Sequence, residues 1–571
     1  MLKFIFGRPA SGKTYTVIQT VKELSDAGKT SVLIVPEQFS FESERAVLKA
    51  LGDKAALNVL VASFTRLCDE VGRNVGGIAG VTLSDADKVI FMNRALWLAQ
   101  KDLKIWRGYS RSVYFAKTML DTVGEFKINA VTPEELRSAA EAAETDTLKY
   151  KLEDIALIYE TFDALTGERF IDPADKLTKL YRQLEEYRFF ENKTVMIDSF
   201  KGFTGQQFKI ISRILAQADD VIIALTNDPA LDKEYNVFAN IRKVADRIRR
   251  LAALYGAAED KPLILSESRR VSEGLSALER LLSGGAFKPP EKNGDITVCS
   301  AADSFDEARF AARTIRRLVR EEGYRYRDFV IIARDTEAYE ESVASACAEN
   351  GVPCFSDRRV PLSAFPAAAA IDAALEASLK LTSESILRFH KTGLGTLTTE
   401  EISELENYVF LWNIDGEMWK NEWVMDPRGF VYGEDQTPVN VEELERINKL
   451  RIKALEPLLA FKEECGGTAA DMAAAAVRLL ETCNAAEKLA AISGRFQNEN
   501  AQFTSSVLRQ SYDRYMNVLD SLARCFGSRE IKKQEFYEAL SLSVSLDSVG
   551  MIPRMLAEET FGAAKSEATR S

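Results

Sequence analysis

Short runs of consecutive apolar residues alternate with amphipathic stretches over the first sixty residues. Phe4-Ile5-Phe6, Val32-Leu33-Ile34-Val35 and Val59-Leu60-Val61 are apolar at every position and too short for buried helices, so they read as strands covered on both faces. The stretch after Lys13 and the one from Phe41 to Leu51 have the spacing of helices. The order strand, helix, strand, helix, strand predicts a parallel sheet. From about Ser84 to Leu184 apolar residues recur every three or four positions, as in Leu152, Ile155, Ala156 and Tyr159, which predicts helices inserted into the sheet domain. Strand signals return at Thr194-Val195-Met196-Ile197-Asp198 and at Val221-Ile222-Ile223-Ala224-Leu225.

A Gly- and Pro-rich stretch, Ser283-Gly284-Gly285-Ala286-Phe287-Lys288-Pro289-Pro290, marks a linker. A second α/β pattern follows: a strand at Ile296-Thr297-Val298, a helix from Asp306 to Glu321, and a strand at Phe329-Val330-Ile331-Ile332. Beyond about Ala367 the chain reads as almost wholly helical, and no repeat of fixed period stands out. The expected layout is a first α/β domain in two parts, 1–83 and 191–285, split by a helical insertion at 84–190. A linker at 286–292 leads to the first part of a second α/β domain at 293–370, and residues 371–571 form a helical insertion that stops before the second domain is complete.

Composition narrows the classes. A chain of 571 residues is several times a typical domain, so three or more cores are expected. Apolar residues make up 46% and charged ones 28%, and no run of about 18 apolar residues is available to span a bilayer. Met1 to Phe6 runs straight into a glycine turn without a signal-peptide core, so the expected location is cytoplasmic. The seven cysteines form no C-x-x-C pair, which removes zinc ribbons and redox dithiols. His390 is the sole histidine, and mechanisms needing two imidazoles are excluded; its expected role is structural. A net charge of −12 runs against nucleic-acid binding unless basic residues are gathered locally. Two gatherings exist: Arg242, Lys243, Arg247, Arg249 and Arg250, and then Arg313, Arg316, Arg317 and Arg320. Either can equally be a solvated helix face.

The sharpest chemical signal is Gly7-Arg8-Pro9-Ala10-Ser11-Gly12-Lys13-Thr14, which fits G-x-x-x-x-G-K-[ST] at every position, after a strand and before a helix. The glycines allow backbone N–H groups to curl around phosphate oxygens at the positive end of the helix. Lys13 is expected to reach the β and γ phosphates of a nucleoside triphosphate, and Thr14 to bind Mg²⁺ through its hydroxyl. Asp198, closing a neighbouring strand, is the candidate acid for the metal's water shell. An active motor usually places Glu next to orient the attacking water, but Ser199 stands there. No Gly-Asp-x-x-Gln sensor follows; the strand at Val221 ends in Thr226-Asn227-Asp228. Arg334, closing Val330-Ile331-Ile332-Ala333, is a candidate cation for the γ-phosphate, with Asp335 beside it; a plain surface ion pair is an equal reading.

Several longer segments share one further property. Phe6-Gly7-Arg8, Leu33 to Arg45 with its Pro36-Glu37-Gln38-Phe39-Ser40 turn, Ser63-Phe64-Thr65-Arg66-Leu67, and Ile197-Asp198-Ser199-Phe200 with Phe203-Thr204-Gly205-Gln206-Gln207 resemble the AddB (also RexB) family. So do Gly323 to Asp328 leading to Ile331-Ile332-Ala333-Arg334-Asp335, and Gly351 to Asp357 followed by Pro361-Leu362 and Phe365-Pro366. That family is a subunit of the bacterial helicase–nuclease that processes double-strand breaks for homologous recombination, and it is related to superfamily 1 helicases.

The resemblance implies a superfamily 1 helicase-like P-loop NTPase with two parallel-sheet domains carrying helical insertions, binding ATP and Mg²⁺. It also implies a heterodimer with an AddA-like motor and nuclease subunit, DNA held single-stranded in a channel, and no membrane. Family members continue into more helicase-like sequence, a nuclease domain and cysteines for a 4Fe–4S cluster. No ligands for that cluster and no D…E/D-x-K nuclease pattern are identifiable here, and the segment from Ile552 to Ala564 reads as mid-protein sequence. The leading expectation is an ATP- and DNA-binding subunit whose motor in this half is weak or inactive. The alternative is an active ATP-driven superfamily 1 translocase, with a P-loop kinase a distant third.

Overall fold

The computed structural model describes residues 1–52, 58–76, 80–110, 112–167, 170–231, 237–267, 269, 272–285, 289, 291, 294–356, 359–429, 441–498, 502–550 and 559–563. By its internal contacts the chain divides into two compact units, one of residues 1–82 and 121–300, the other of 83–120 and 301–570.

The first unit opens β1 (Leu2–Gly7), α1 (Lys13–Asp26), β2 (Ser31–Ile34), α2 (Ser40–Leu51), β3 (Val59–Ala62), α3 (Phe64–Val75) and the short β4 (Val81–Thr82). Chain order continues with α4 (Asp85–Ala99) in the second unit and α5 (Val113–Ile128), along which the chain returns to the first. Then come α6 (Pro133–Glu141), α7 (Asp146–Thr166), β5 (Phe170–Ile171), α8 (Lys176–Glu186), β6 (Thr194–Ile197), α9 (Gly205–Gln217), β7 (Asp220–Thr226), α10 (Ala239–Leu254), β8 (Leu263–Leu265) and α11 (Glu273–Leu282).

Six strands form one sheet in the order β3-β2-β6-β7-β1-β8, and every pairing is parallel. Parallel strands need crossovers, and the helices that make them cover both faces. That is why these strands read as unbroken apolar runs. Along β1 the side chains alternate: Phe4 and Phe6 join a core with Ile197, Ile211 and Ile248, while Ile5 joins the opposite one with Val17, Val47 and Met196. Capping boxes at Ser84, Thr132 and Thr204 start three of the helices, each placing a side-chain oxygen on an otherwise unpaired amide. At Gly205 a Cβ would meet the Asn129 carbonyl at 2.1 Å, so only glycine lets α9 begin there.

The second unit contains α12 (Ser304–Glu322), β9 (Val330–Ala333), α13 (Thr336–Asn350), β10 (Cys354–Ser356), β11 (Arg359–Pro361), α14 (Pro366–Leu379), α15 (Ser383–Lys391), α16 (Thr399–Leu411) and α17 (Val441–Glu464). It closes with α18 (Ala469–Thr482), α19 (Ala485–Asn498), α20 (Gln502–Phe526), α21 (Lys533–Leu546), β12 (Ser548–Gly550) and β13 (Glu559–Ala563). Two expectations change here. The Ile296-Thr297-Val298 run forms no strand; Ile296 is 45% and Val298 91% exposed, so its β propensity finds no sheet edge to pair with. Nor is the stretch after residue 371 helical to its end: β13 lies between β10 and β9 in a parallel three-stranded sheet, and β12 pairs antiparallel with β11. A strand so far from its partners shows no local signal of where it will pair. The α4 helix packs on α20 and α21, and Arg94 donates to the Cys525 carbonyl at 3.0 Å. Most of the linker expected at 286–292 lies outside the described residues, as do 552–558 and 564 of the segment read as mid-protein sequence.

Candidate functional site

Everything in Gly7–Thr14 follows from one tight reversal between β1 and α1. Gly7 is buried, and a Cβ on it would meet Ser11 Oγ at 2.2 Å. The loop closes through the Ser11 amide donating to the Arg8 carbonyl at 3.2 Å. Pro9 is exposed at the tip, while Ala10 and Gly12 have φ of 60° and 91°, a left-handed backbone that costs glycine nothing. Gly12 starts α1 without a side-chain cap, so the first amides of the helix, those of Lys13 and Thr14 among them, are left for a ligand. The Lys13 ammonium folds back into the curl and donates to the Gly7 and Arg8 carbonyls at 2.9 and 2.8 Å. Burial pushes its pKa down to about 8, against the opposing pull of Asp198 and Glu279. Thr14 is half-buried on the first helical turn.

Asp198 closes β6, and its side chain is almost fully buried. Its charge favours the protonated form of Lys13, so the two side chains lie within electrostatic reach. Ser199 takes a left-handed φ of 71° and donates its hydroxyl to Asp198 Oδ2 at 3.2 Å. The residue standing where a motor has its glutamate therefore hydrogen-bonds its acidic neighbour. Between β6 and β1 runs β7, and just past its end Asn227 is buried with an unpartnered Oδ1. Ser11 Oγ, in the loop, is also buried and unpartnered.

Three contributors escaped sequence reasoning. Glu279 of α11 and Asp228 after β7 hold the Arg8 guanidinium at 3.5 and 3.3 Å. Arg269, beyond β8, donates its amide to the Ala10 carbonyl at 2.9 Å and lays its guanidinium over the Tyr15 ring at 4.4 Å. A Cβ on Gly12 would lie 2.7 Å from that guanidinium, so a cation sits directly against the loop. β8 pairs with β1 only at Ile5, Phe6 and Gly7, and this short register delivers the segment to the loop.

The remaining candidates lie elsewhere. Arg334 is exposed after β9 in the second unit, and its neighbour Asp335 caps α13 by accepting from the Ala338 amide at 3.2 Å. His390 is fully buried with Nε2 3.0 Å from the Ala454 carbonyl, in keeping with a structural role. In the first basic gathering, Arg247 stacks on Phe208 and Arg249 pairs with Asp246 and Glu259, so those charges serve the fold. Among the described residues no three metal-binding side chains are grouped. No helix among the described residues is long and apolar enough to cross a membrane.

Fold and site together define an α/β protein built on a parallel six-stranded sheet, with a glycine-rich loop and a buried acid at the carboxyl edge of its strands. Residues 4–279 match the family described as ADDB, N-terminal. The chain is 29% identical over 575 aligned residues to the B subunit of the ATP-dependent helicase/deoxyribonuclease of Clostridium botulinum, covering 98% of this chain and 50% of that one. It is 30% identical to the proteins of the same description from Clostridium novyi and Acetivibrio thermocellus, covering 97% and 98% of this chain and 49% and 50% of theirs. The chain belongs to the AddB family, and it spans about half the length of the curated relatives it matches.

Proposed function

We propose that this chain is the helicase-like half of an AddB-type protein: a superfamily 1-like P-loop protein that binds ATP with Mg²⁺, holds DNA, and pairs with an AddA-like motor for double-strand break repair by recombination. The nucleotide part of this reading is carried by one observation. Lys13 is held inside a left-handed glycine curl whose helix amides have no side-chain cap, and two buried oxygens near the same sheet edge, Ser11 Oγ and Asn227 Oδ1, lack a partner. Such orphans are costly unless a ligand or water completes them, so the site fits a phosphate group and its metal. Mg²⁺-bound ATP, when present, supplies a charged phosphoanhydride.

The protein's own groups then divide the work. Amides of the loop and first turn orient the phosphates, Lys13 turns from the Gly7 and Arg8 carbonyls to meet their charge, and Thr14 and Asp198 hold the metal and its water shell. Arg269 offers a second cation from beside Gly12. Nothing at Ser199 can orient or deprotonate an attacking water as a carboxylate would, so turnover is slow. Nucleotide then acts as a conformational ligand in an assembly whose motor and nuclease lie outside these residues.

Two assays test this. Fluorescent-nucleotide titration should show Mg²⁺-dependent ATP binding that Lys13→Ala removes; a wild-type chain that does not bind nucleotide sinks the reading. Steady-state hydrolysis should stay low with or without single-stranded DNA. DNA-stimulated turnover that disappears in Lys13→Ala would instead establish an active translocase.

A further inference from the structure

The second basic gathering behaves differently from the first. On α12 every acidic side chain is already engaged: Asp303 caps the helix, Asp306 pairs with Arg309, Glu307 accepts from the Tyr339 hydroxyl, and Glu321 and Glu322 pair with Arg317. Arg313, Arg316 and Arg320 are left without a carboxylate among the described residues. At 3.6 residues per turn these three side chains fall within an arc of about 60° and climb about 10 Å along the helix. The stripe stands to one side of the face that Ala308, Ala312 and Ile315 bury. Arg313 and Arg320 are exposed and Arg316 half-buried. Two aromatic rings flank the stripe in the open, Phe305 at 53% and Phe310 at 43% exposure.

Three unneutralised arginines in line are unusual on a chain of net charge −12, and they gain most from a partner that brings regularly spaced negative charge. Exposed phenylalanines beside them add flat apolar faces on which unpaired bases can stack. A duplex offers no such bases. We infer that this face of α12 is a single-stranded DNA track, Arg313, Arg316 and Arg320 meeting successive phosphates and Phe305 and Phe310 meeting bases. The inference rests on the DNA-binding part of the proposed function and places a contact surface in the second unit.

Its test is the salt dependence of affinity for a labelled single-stranded oligonucleotide, measured by anisotropy on the full chain. Each phosphate contact adds about 0.7 to the slope of log K against log salt for single strands. Replacing Arg313, Arg316 and Arg320 together by Gln should therefore lower the slope by about 2, while the triple Lys replacement keeps it. Phe305→Ala with Phe310→Ala should weaken binding and leave the slope alone. Circular dichroism on each variant shows whether the substitutions leave the helix content intact. A wild-type chain without salt-dependent binding refutes the DNA reading and the track with it. A wild-type chain that binds, with an unchanged slope in the Gln variant, overturns the track alone. So does a Gln variant that keeps its slope but no longer assembles with the AddA-like partner, since the stripe then belongs to a protein interface.

Discussion

Lys13 is where burial and charge oppose each other most directly. In the free loop its pKa is pushed down to about 8 by burial. A phosphate beside it favours the charged form, so binding draws a proton wherever the free amine has lost one. The sign follows: nucleotide affinity should be level below pH 8 and weaken above it, by up to about tenfold per pH unit. Calorimetric titration from about pH 7 to about pH 9 measures this, and an affinity that stays level throughout contradicts the role given to Lys13. His390 shows what burial does without a ligand in prospect. Burial pushes its pKa down to about 4, and a Cβ on Gly395 would come within 2.3 Å of its Nδ1, so a neutral ring is wedged against backbone. Its solitary place in the sequence already pointed to a structural role. The glycine that makes room for it had no sequence signal.

Among the elements, the end of α5 carries the most demanding electrostatics. Lys127 is almost fully buried and reaches Asp163 of α7 at 2.7 Å, and Asp172 and Asp175 ahead of α8 at 3.0 and 2.7 Å. Burial alone would lower its pKa, but the three carboxylates, Asp175 foremost, raise it above the ordinary lysine range. One ammonium thus ties together three segments and neutralises carboxylates that would otherwise repel. Lys127→Met should destabilise the fold by about 3–5 kcal/mol, because the buried Asp172 carboxylate is left without its counterion. Arg137→Ala, which breaks the exposed pair with Glu160, should cost about 1 kcal/mol or less. Urea unfolding of both variants compares them directly, and equal losses would refute the special standing of the buried cluster. Its members were invisible as a group in the sequence, since 36 to 48 residues separate Lys127 from the aspartates.

At the scale of the whole molecule the chain has two compact units, each with its own buried residues. The proposed nucleotide site lies within the first. A ligand that binds only the folded state stabilises it by about 2.7 kcal/mol at a hundred times its Kd. Differential scanning calorimetry should accordingly show the transition of the first unit rising by several degrees with saturating Mg²⁺-ATP, at roughly 2–4 °C per kcal/mol. The rise should be absent in Lys13→Ala. A shift that persists in that variant would place the nucleotide elsewhere.

How much of this was readable in advance divides along a physical line. Backbone conformation within a few residues is set by local sterics and by hydrogen bonds between near neighbours. The sequence by itself therefore determined the short buried strands, the helical stretch from about Ser84, and the glycine turn that leads into the helix after Lys13. Local signals fail where a segment needs a distant partner: Ile296-Thr297-Val298 reads as a strand yet pairs with nothing, and β13 joins β9 and β10 from more than two hundred residues away. The site shows the same limit. Sheet order is decided by crossovers and by burial of whole faces, so only the tertiary structure could set β7 between β6 and β1. That placement brings Asn227 beside the strands of Asp198 and the loop, while β8 carries Arg269 to Gly12 and α11 brings Glu279 to Arg8.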